Sequence, residues 1–235
     1  RAWELAGNYP AILDDEVVGE SARSLFNDAQ NMLDRLIAEK WLTARGVAGL
    51  WPCARHEDDV IVDLKGDFNA EELRGLDLLD LVKGTDVVRL PFLRQQIAKR
   101  EGRPNMCLAD FVDPKGDWIG GFAVSIHGIE PHLARFKAAI DDYSDILLKA
   151  LADRLAEAMA EALHHHVRTI LWGYAPDEQL DNEALIREKY RGIRPAPGYP
   201  ACPEHSLKTQ LFEMLDAHHA TGISLTEGFA MLPTA

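Results

Sequence analysis

The residues best suited to hold a small ligand lie in a proline-rich segment of the C-terminal third. Residues 194–203 read Arg-Pro-Ala-Pro-Gly-Tyr-Pro-Ala-Cys-Pro and contain four prolines. Because proline fixes φ and has no amide donor, this segment can form neither a helix nor a central strand. We predict a preset extended loop that exposes carbonyls and a few amides, with Gly198 allowing close approach of a ligand. Such a loop suits a flat, polar heterocycle such as adenine.

The side chains of this segment add a charge and a ring. Arg194 can hold a carboxylate through the fork of its guanidinium, and Tyr199 offers a ring and a hydroxyl beside it. The alternative is that the segment is only a rigid connector between two helices, since proline-rich connectors are common. The residues of the segment alone leave both interpretations open.

Three consecutive histidines do not predict a metal site. His164, His165 and His166 fall within a helical period, so their side chains point about 100° apart and cannot share one ion. We expect a partly exposed polar patch near a helix end, where protonated histidines suit the helix dipole. The sequence also has no glycine-rich motif for nucleotide phosphates. We predict neither a metal site nor a phosphate cradle.

The composition restricts the classes of partner and compartment. The chain has 25 Lys and Arg against 38 Asp and Glu, a net charge of −13, which argues against nucleic acid and anionic membrane surfaces. No apolar run approaches the roughly 18 residues of a transmembrane helix. The three widely spaced cysteines, Cys53, Cys107 and Cys202, favour reduced thiols over disulfides or zinc binding. We expect a cytoplasmic protein without a nucleic-acid or membrane partner.

Hydrophobic periodicity predicts an α+β fold in which strands pair antiparallel and helices come in runs. The predicted helices cover residues 20–40, 92–100, 131–171 with a break near Asp141, 181–192 and 206–219. The predicted strands cover residues 46–52, 60–64, 106–112, 118–126 and 224–231, the first two joined by a turn at 55–59. Residues 65–88 are expected to form an irregular connection in which residues 76–81 contact the core. No interdomain linker is visible, so we predict one domain.

Several motifs together resemble one protein family. Residues 194–199, followed by Pro-Ala-Cys-Pro, closely resemble the Arg-x-x-x-Gly-Tyr signature of the activation domain of cobalamin-dependent methionine synthase. Other segments look like that family in the same order, namely residues 5–10, 15–19, 93–96, 107–112, 149–157 and 172–176. The resemblance therefore covers essentially the whole chain.

The resemblance implies a fold and a role. The family fold is a bent antiparallel sheet flanked by helices, which agrees with the predicted order of elements. The family binds S-adenosylmethionine and restores inactive cobalamin, which a flavodoxin-type donor reduces and S-adenosylmethionine methylates. The chain would be the activation module of a methyltransferase, 5-methyltetrahydrofolate–homocysteine methyltransferase, with no catalysis of its own. No nucleophile or general base is needed, because cob(I)alamin is a strong nucleophile and the sulfonium an activated methyl donor.

The resemblance also assigns ligand-binding residues. Arg194, Gly198 and Tyr199 are implied to contact S-adenosylmethionine, with Ala196 and Pro197 as main-chain contacts. The cationic centres of the ligand favour a nearby carboxylate, because a buried positive charge must be paired. Glu157 is the candidate for that carboxylate.

Glu157 belongs to a row of acidic residues with a spacing of four. Asp153, Glu157 and Glu161 fall on one face of the long predicted helix. Asp153 is expected to face the cobalamin-binding module, which holds the cobalamin, with a solvated helix face as the alternative for both Asp153 and Glu157. Glu161 is expected to lie on a solvated face. Near the loop, Glu188 either braces it or faces a partner, and His205 either caps the next helix or senses the approaching cofactor.

An acidic flavodoxin needs a local basic patch on this acidic chain. The first candidate patch consists of Arg94, Lys99, Arg100 and Arg103. The second consists of Arg187, Lys189, Arg191 and Arg194. We favour the second patch, since it lies beside the expected methyl donor.

The chain differs from the family pattern at both ends. That pattern has an acidic ligand residue upstream of residue 5 and a tyrosine-bearing strand downstream of residue 233. We therefore expect residues 1–235 to be a single activation domain that is truncated at both ends. The alternative function is a stand-alone scaffold that docks a cobalamin module without binding S-adenosylmethionine.

Overall fold

The computed structural model describes residues 5–75 and 86–233. Its helices, numbered α1 to α7, are Gly19–Ala38, Ala70–Gly75, Glu130–Ala138, Asp142–His166, Asn182–Ile186, Leu207–Leu215 and Ala217–Thr221. Its strands, numbered β1 to β6, are Thr43–His56, Asp59–Asp63, Val87–Pro91, Asp117–His127, Ser224–Leu225 and Met231–Leu232. The α+β class is confirmed. The segment 76–81, which was expected to contact the core, lies outside the described residues.

Four strands form an antiparallel sheet in the order β3-β2-β1-β4. The predicted hairpin of β1 and β2 is confirmed, with Cys53 opposite Val62 and His56 opposite Asp59. The turn has two residues, of which Glu57 has a φ of 55°. Strand β2 is buried on both faces: Val60 and Val62 join one core cluster, while Ile61 joins another, as the two-residue period of a strand requires.

Residues 92–100 have no regular secondary structure, so the predicted helix is wrong. Arg94 donates hydrogen bonds to the carboxylates of Asp58 and Asp110 at 2.5–3.2 Å, and the Gln95 amide donates to the Met106 carbonyl at 3.0 Å. A helix over residues 92–100 would break these hydrogen bonds of Arg94 and Gln95. Tertiary contacts therefore override the local helical pattern.

Two predicted strands also differ from the structure. Residues Leu108–Phe111 form a 3-10 helix, because the Asp110 carboxylate accepts from the Cys107 amide at 3.0 Å. The predicted strand over residues 224–231 is a hairpin of β5 and β6, with Leu225 opposite Met231. Likewise, the predicted helix 206–219 is divided into α6 and α7 by Asp216, which has a left-handed conformation.

The long predicted helix is confirmed as α3 and α4, with a break at residues 139–141 and a π turn at Val167–Leu171. The buried face of α4 does not include every apolar residue of that helix. Ile146 is 45% exposed, whereas Leu148 is fully buried and Ala152 nearly so. Among the described helices, none combines the length and apolar composition needed to span a bilayer.

The chain divides into two compact units. The first unit comprises residues 1–44, 126–157 and 235, and its core contains Leu36, Trp41 and Leu148. The second comprises residues 45–125 and 158–234.

The largest core cluster of the second unit contains all three cysteines, Cys53, Cys107 and Cys202, as free, buried thiols. Burial raises the pKa of Cys53 to about 12 and that of Cys202 to about 11, so both thiols stay protonated at neutral pH. The single domain over 1–235 stays a prediction.

Candidate functional site

Residues 194–202, here named the proline loop, fold into two tight turns. The Tyr199 amide donates to the Ala196 carbonyl at 3.2 Å, and the Cys202 amide donates to the Tyr199 carbonyl at 2.8 Å. A third bond, from the Gly198 amide to the Cys202 carbonyl at 2.7 Å, joins the turns. An irregular loop is confirmed, but the expected extended line of free backbone groups is wrong, because several of these groups bond to each other.

The outer surface of the proline loop still offers groups to a ligand. Tyr199 is 64% exposed, and its ring lies on the solvent side. Ala196 is also exposed, and its amide has no hydrogen-bond partner within the part of the chain that the structure describes. The buried Cys202 ties the far end of the loop to the core of the second unit. The loop is therefore a fixed turn with an exposed tyrosine ring and, at the exposed Ala196, an amide that no described group engages.

Gly198 is required by its contact with His205. Gly198 has a φ of +104°, and a Cβ at this position would lie 2.1 Å from Cε1 of the His205 ring. Side chains other than hydrogen are excluded by both the conformation and the space. His205 does not cap α6, so that prediction is wrong: the helix begins after Ser206 and has no side-chain cap. The His205 ring instead lies against the loop, with Nδ1 3.0 Å from Lys208 Nζ.

Arg194, at the start of the proline loop, pairs with Glu161 of α4. Arg194 Nη2 donates a hydrogen bond to Glu161 Oε1. The two side chains are 22% and 31% exposed, respectively. The expected solvated face is therefore wrong for Glu161, because Arg194 reaches back onto it.

Each member of this pair keeps one buried atom unpaired. Within the described residues, neither Arg194 Nη1 nor Glu161 Oε2 has a hydrogen-bond partner, although both atoms are buried. A buried polar atom without a partner costs about 1–3 kcal/mol. The pair would therefore gain free energy from a ligand that brings an acceptor to Arg194 and a donor to Glu161.

A second arginine, Arg168, fixes the segment that leads into the proline loop. Arg168 is fully buried in the π turn and donates to the two carboxylate oxygens of Glu178 at 2.5 and 2.9 Å. Its guanidinium carbon lies 4.3 Å from the centroid of the Tyr190 ring. Arg168 thus holds both ends of residues 178–190, and a hydrogen bond from the Arg168 guanidinium keeps the pKa of Glu178 below its usual range.

His164 contacts two of the residues just described, Arg168 and Tyr190. Its Nδ1 lies 2.6 Å from Arg168 Nη1, and its ring meets the Tyr190 ring edge-on at 4.9 Å. Burial, and then the positive charges of Arg168 and Arg194, lower the pKa of His164 to about 4. The ring is therefore neutral at pH 7, and Nδ1 accepts from Arg168, since a guanidinium can only donate. The predicted exposed patch holds for His165 and His166 but is wrong for His164.

The other predicted contact residues are exposed. Glu157 and Asp153 lie on the surface of α4, in the first unit. Their roles toward the ligand and the cobalamin module stay predictions, as do those of Ala196 and Pro197 in the proline loop.

The second basic patch lies around a helix that is shorter than predicted. Asp181 caps α5 by accepting from the Ala184 amide at 2.8 Å, but the helix predicted over residues 181–192 ends at Ile186, and Glu188 is left-handed. Lys189 and Arg191 are exposed, and Arg191 Nη1 donates to the Tyr174 carbonyl at 3.3 Å.

Sequence reasoning missed two ion pairs, Arg194–Glu161 and Arg168–Glu178. The partners in the first pair are 33 positions apart, so no local spacing connects them. One available signal was the acidic row on α4, of which Glu161 is the third member. The partners in the second pair are ten positions apart, so no helical spacing connects them either.

Two comparisons relate this chain to known proteins. A family model described as "Vitamin B12 dependent methionine synthase, activation domain" matches residues 1–235. Among solved structures, the chain is similar to a crystal structure of the MetH reactivation domain bound to AdoHcy, with 51% sequence identity and a TM-score of 0.83. The match covers 98% of this chain and 68% of that chain.

Proposed function

The chain belongs to the activation-domain family of vitamin B12 dependent methionine synthase, and we propose that it binds S-adenosylmethionine to support reactivation of cobalamin. The similar structure carries AdoHcy, which is the demethylated form of that ligand. In this proposal the proline loop and Arg194 hold the ligand. Its methyl group then faces a cobalamin that another module carries.

The state of Arg194 is the observation that carries the proposal. One arm of its guanidinium is held by Glu161, while Nη1 has no partner among the described residues. A carboxylate is the natural acceptor for such a group, since hydrogen bonds between two charged groups are the strong ones. The amino-acid end of S-adenosylmethionine carries one carboxylate. Because Glu161 already orients the guanidinium, little ordering entropy is lost when the carboxylate binds.

The surface of the proline loop fits the other end of the ligand. We assign the exposed amide of Ala196 and the ring of Tyr199 to the adenosine part, with Pro197 and Gly198 shaping the turn between them. A main-chain amide can donate to a ring nitrogen, and an exposed aromatic ring can cover a flat heterocycle. The tight contact between Gly198 and His205 keeps this turn in one conformation.

The chemistry needs orientation rather than acid or base catalysis. When bound, S-adenosylmethionine supplies an activated methyl group for the cobalt of a cobalamin. The residues of this chain bind the ligand and hold it at one angle and position, which lowers the entropic part of the barrier. We assign Glu157 to the cationic part of the ligand, since a nearby carboxylate stabilises a positive centre.

We further propose the partners of this module. It would be the activation module, not catalytic alone, of 5-methyltetrahydrofolate–homocysteine methyltransferase in the cytoplasm. Asp153 would face the cobalamin-binding module, which holds the cobalamin. Glu188, Lys189 and Arg191 would face a flavodoxin or a similar electron donor, and their exposure is consistent with this role.

Calorimetry with AdoHcy tests the ligand assignment. In the full-length polypeptide that carries these residues, we expect Arg194→Ala to weaken binding roughly 10- to 100-fold, since a hydrogen bond to a charged group contributes about 1.5–3 kcal/mol. The matched control is Arg187→Ala, which also removes an arginine paired with a glutamate but one that is 66% exposed. The control should bind as the natural chain does.

Two results would contradict the proposal. If the natural full-length polypeptide releases no heat with AdoHcy, the chain is a scaffold that docks a cobalamin module without this ligand. If Arg194→Ala binds as tightly as the natural chain, Arg194 does not hold the carboxylate.

A further inference from the structure

We infer that Arg168 is a positioning residue for ligand binding, which holds Arg194 in place through the ring of Tyr190. Arg168 is fully buried, so it acts on the ligand only through other residues. This inference rests on the proposed function, in which Arg194 holds the carboxylate of the ligand. It adds Arg168 and Tyr190 to the residues on which affinity depends.

The burial of Arg168 points to a role beyond stability. The Arg168 side chain has no exposed surface, and that of its partner Glu178 is 6% exposed. Removing two charges from water costs free energy that their attraction does not always offset, so a buried ion pair is weak evidence for stabilisation. Arg168 also lies in the π turn Val167–Leu171, and π turns are frequent at functional sites.

The Tyr190 ring lies near both arginines. The guanidinium carbon of Arg168 is 4.3 Å from the centroid of this ring, within the range of a cation–π contact. Tyr190 is only 8% exposed. Burial raises the pKa of the Tyr190 hydroxyl, and the charges of Arg194, Glu188 and Glu161 also act on it. The ring therefore connects the buried arginine to the ion pair beside the proline loop.

The short segment between Tyr190 and Arg194 transmits the position of the ring. The Arg191 carbonyl accepts a hydrogen bond from the Tyr174 hydroxyl at 3.1 Å. Gly192 has a φ of +96°, and a Cβ at this position would lie 2.8 Å from the same hydroxyl. A segment held this closely has little freedom to absorb a shift of the ring. A displaced Tyr190 would therefore displace Arg194.

The guanidinium of Arg168 is itself fixed by three hydrogen bonds. Its Nε and Nη2 donate to the Glu178 carboxylate at 2.9 and 2.5 Å, and its Nη1 donates to His164 Nδ1 at 2.6 Å. Lysine has a compact ammonium in place of this planar fork. Arg168→Lys therefore keeps a positive charge beside Glu178 but loses the flat surface that stacks on Tyr190.

A purely structural role for Arg168 makes a different prediction. If Arg168 only stabilises the second unit, its replacement lowers the free energy of unfolding, and any effect on affinity is independent of Arg194. If Arg168 acts through Arg194, its effect on affinity disappears once the Arg194 guanidinium is absent. A double-mutant cycle between the two positions separates these roles.

The cycle uses Arg168→Lys, Arg194→Ala and the variant with both changes, each in the full-length polypeptide. Affinities for AdoHcy are measured by calorimetry at a temperature at which circular dichroism shows each variant to be folded. We expect Arg168→Lys alone to weaken binding roughly fivefold or more, as the loss of a desolvated cation–π contact implies. In the Arg194→Ala background, the same change should alter the affinity by less than about twofold.

Two variants of Tyr190 test the same connection without changing a buried charge. Tyr190→Phe keeps a ring for the Arg168 guanidinium and should bind AdoHcy within about twofold of the natural chain. Tyr190→Leu removes the ring and should weaken binding about as much as Arg168→Lys does. Arg89→Lys is the matched control, because Arg89 also contacts one carboxylate, that of Asp59, through two nitrogens. The control should bind as the natural chain does.

Three results would overturn the inference. The first is an equal affinity of Arg168→Lys and the natural chain for AdoHcy. The second is a loss of the same size with and without Arg194, which would make Arg168 a structural residue. The third is equal binding by Tyr190→Leu and Tyr190→Phe. In each case, a loss of affinity in Arg194→Ala alone would leave the proposed function standing.

Discussion

A buried neutral histidine in contact with a buried arginine makes the stability of the second unit depend on pH. In the folded chain the pKa of His164 is lowered to about 4, from an ordinary value of 6.5. Below pH 6.5 the unfolded chain therefore binds a proton that the folded chain does not bind. By linkage, stability falls as the pH decreases from about 6.5 to about 4, by on the order of 3 kcal/mol.

Replacing His164 should remove most of this dependence. His164→Asn keeps an oxygen that can accept from Arg168 but cannot titrate, so we expect its free energy of unfolding to change little between pH 6.5 and 4.5. Urea unfolding across this range measures the effect, with the exposed neighbour His165→Asn as the control. The lowered pKa of Glu178 acts at lower pH, because its contribution is lost as the pH falls from the ordinary glutamate value of 4.5 toward the lowered pKa of the folded chain. A natural chain whose stability is constant from pH 6.5 to 4.5 would contradict the account of His164.

Residue types could be predicted better than their partners. The family motif, together with the fixed φ and missing amide of proline, identified residues 194–199 as an irregular loop and a candidate ligand site. Gly198 does have the positive φ that favours glycine. The contact of Arg194 with Glu161 and the contact of Gly198 with His205 were not predicted from the sequence. Glu161 contacts Arg194 only because the loop folds back on α4, and no local spacing connects two residues that lie 33 positions apart.

Elements with strong periodicity were predicted well, and elements fixed by polar contacts were not. Helix α1 matches its apolar pattern, and its inner face includes Ala22, Met32 and Leu36. By contrast, residues 92–100 have a helical pattern but form no regular secondary structure, because Arg94 pairs with Asp58 and Asp110. A long-range ion pair outweighs a weak local propensity.

Two helix ends also differ from the prediction, one in α5 and one between α6 and α7. Helix α5 ends early because Glu188 takes a left-handed conformation, and Asp216 divides α6 from α7 in the same way. Neither position is a glycine, so glycine-based rules for helix ends do not find them. The end of α5 matters for the proposed docking surface, since Lys189 and Arg191 follow it directly.

At the scale of the whole molecule, a net charge of −13 opposes association with an acidic partner. A docking surface for such a partner therefore needs uncompensated positive charge. In the first basic patch, Arg94 pairs with two carboxylates. In the second patch, Lys189 and Arg191 are exposed, and no ion pair involves them within the described ranges 5–75 and 86–233.

Charge reversal distinguishes the two patches. In the full-length polypeptide, we expect Lys189→Glu with Arg191→Glu to slow reduction by a flavodoxin roughly tenfold or more at low salt, since steering charges change association rates. The difference should shrink as the ionic strength rises. Stopped-flow reduction measures the rate, and Arg100→Glu with Arg103→Glu in the first patch is the matched control. If Lys189→Glu with Arg191→Glu leaves the reduction rate unchanged, the donor docks on another surface. The same conclusion follows if only the control variant slows reduction.

The most direct test of the central claim is a crystal structure of the full-length polypeptide with AdoHcy. The quantity to measure is the distance from the Arg194 guanidinium nitrogens to the ligand carboxylate. We expect roughly 2.7–3.2 Å, with the adenosine part against the proline loop. A ligand bound elsewhere, or an Arg194 that remains paired with Glu161 alone while the carboxylate lies beyond hydrogen-bond distance, would contradict the account.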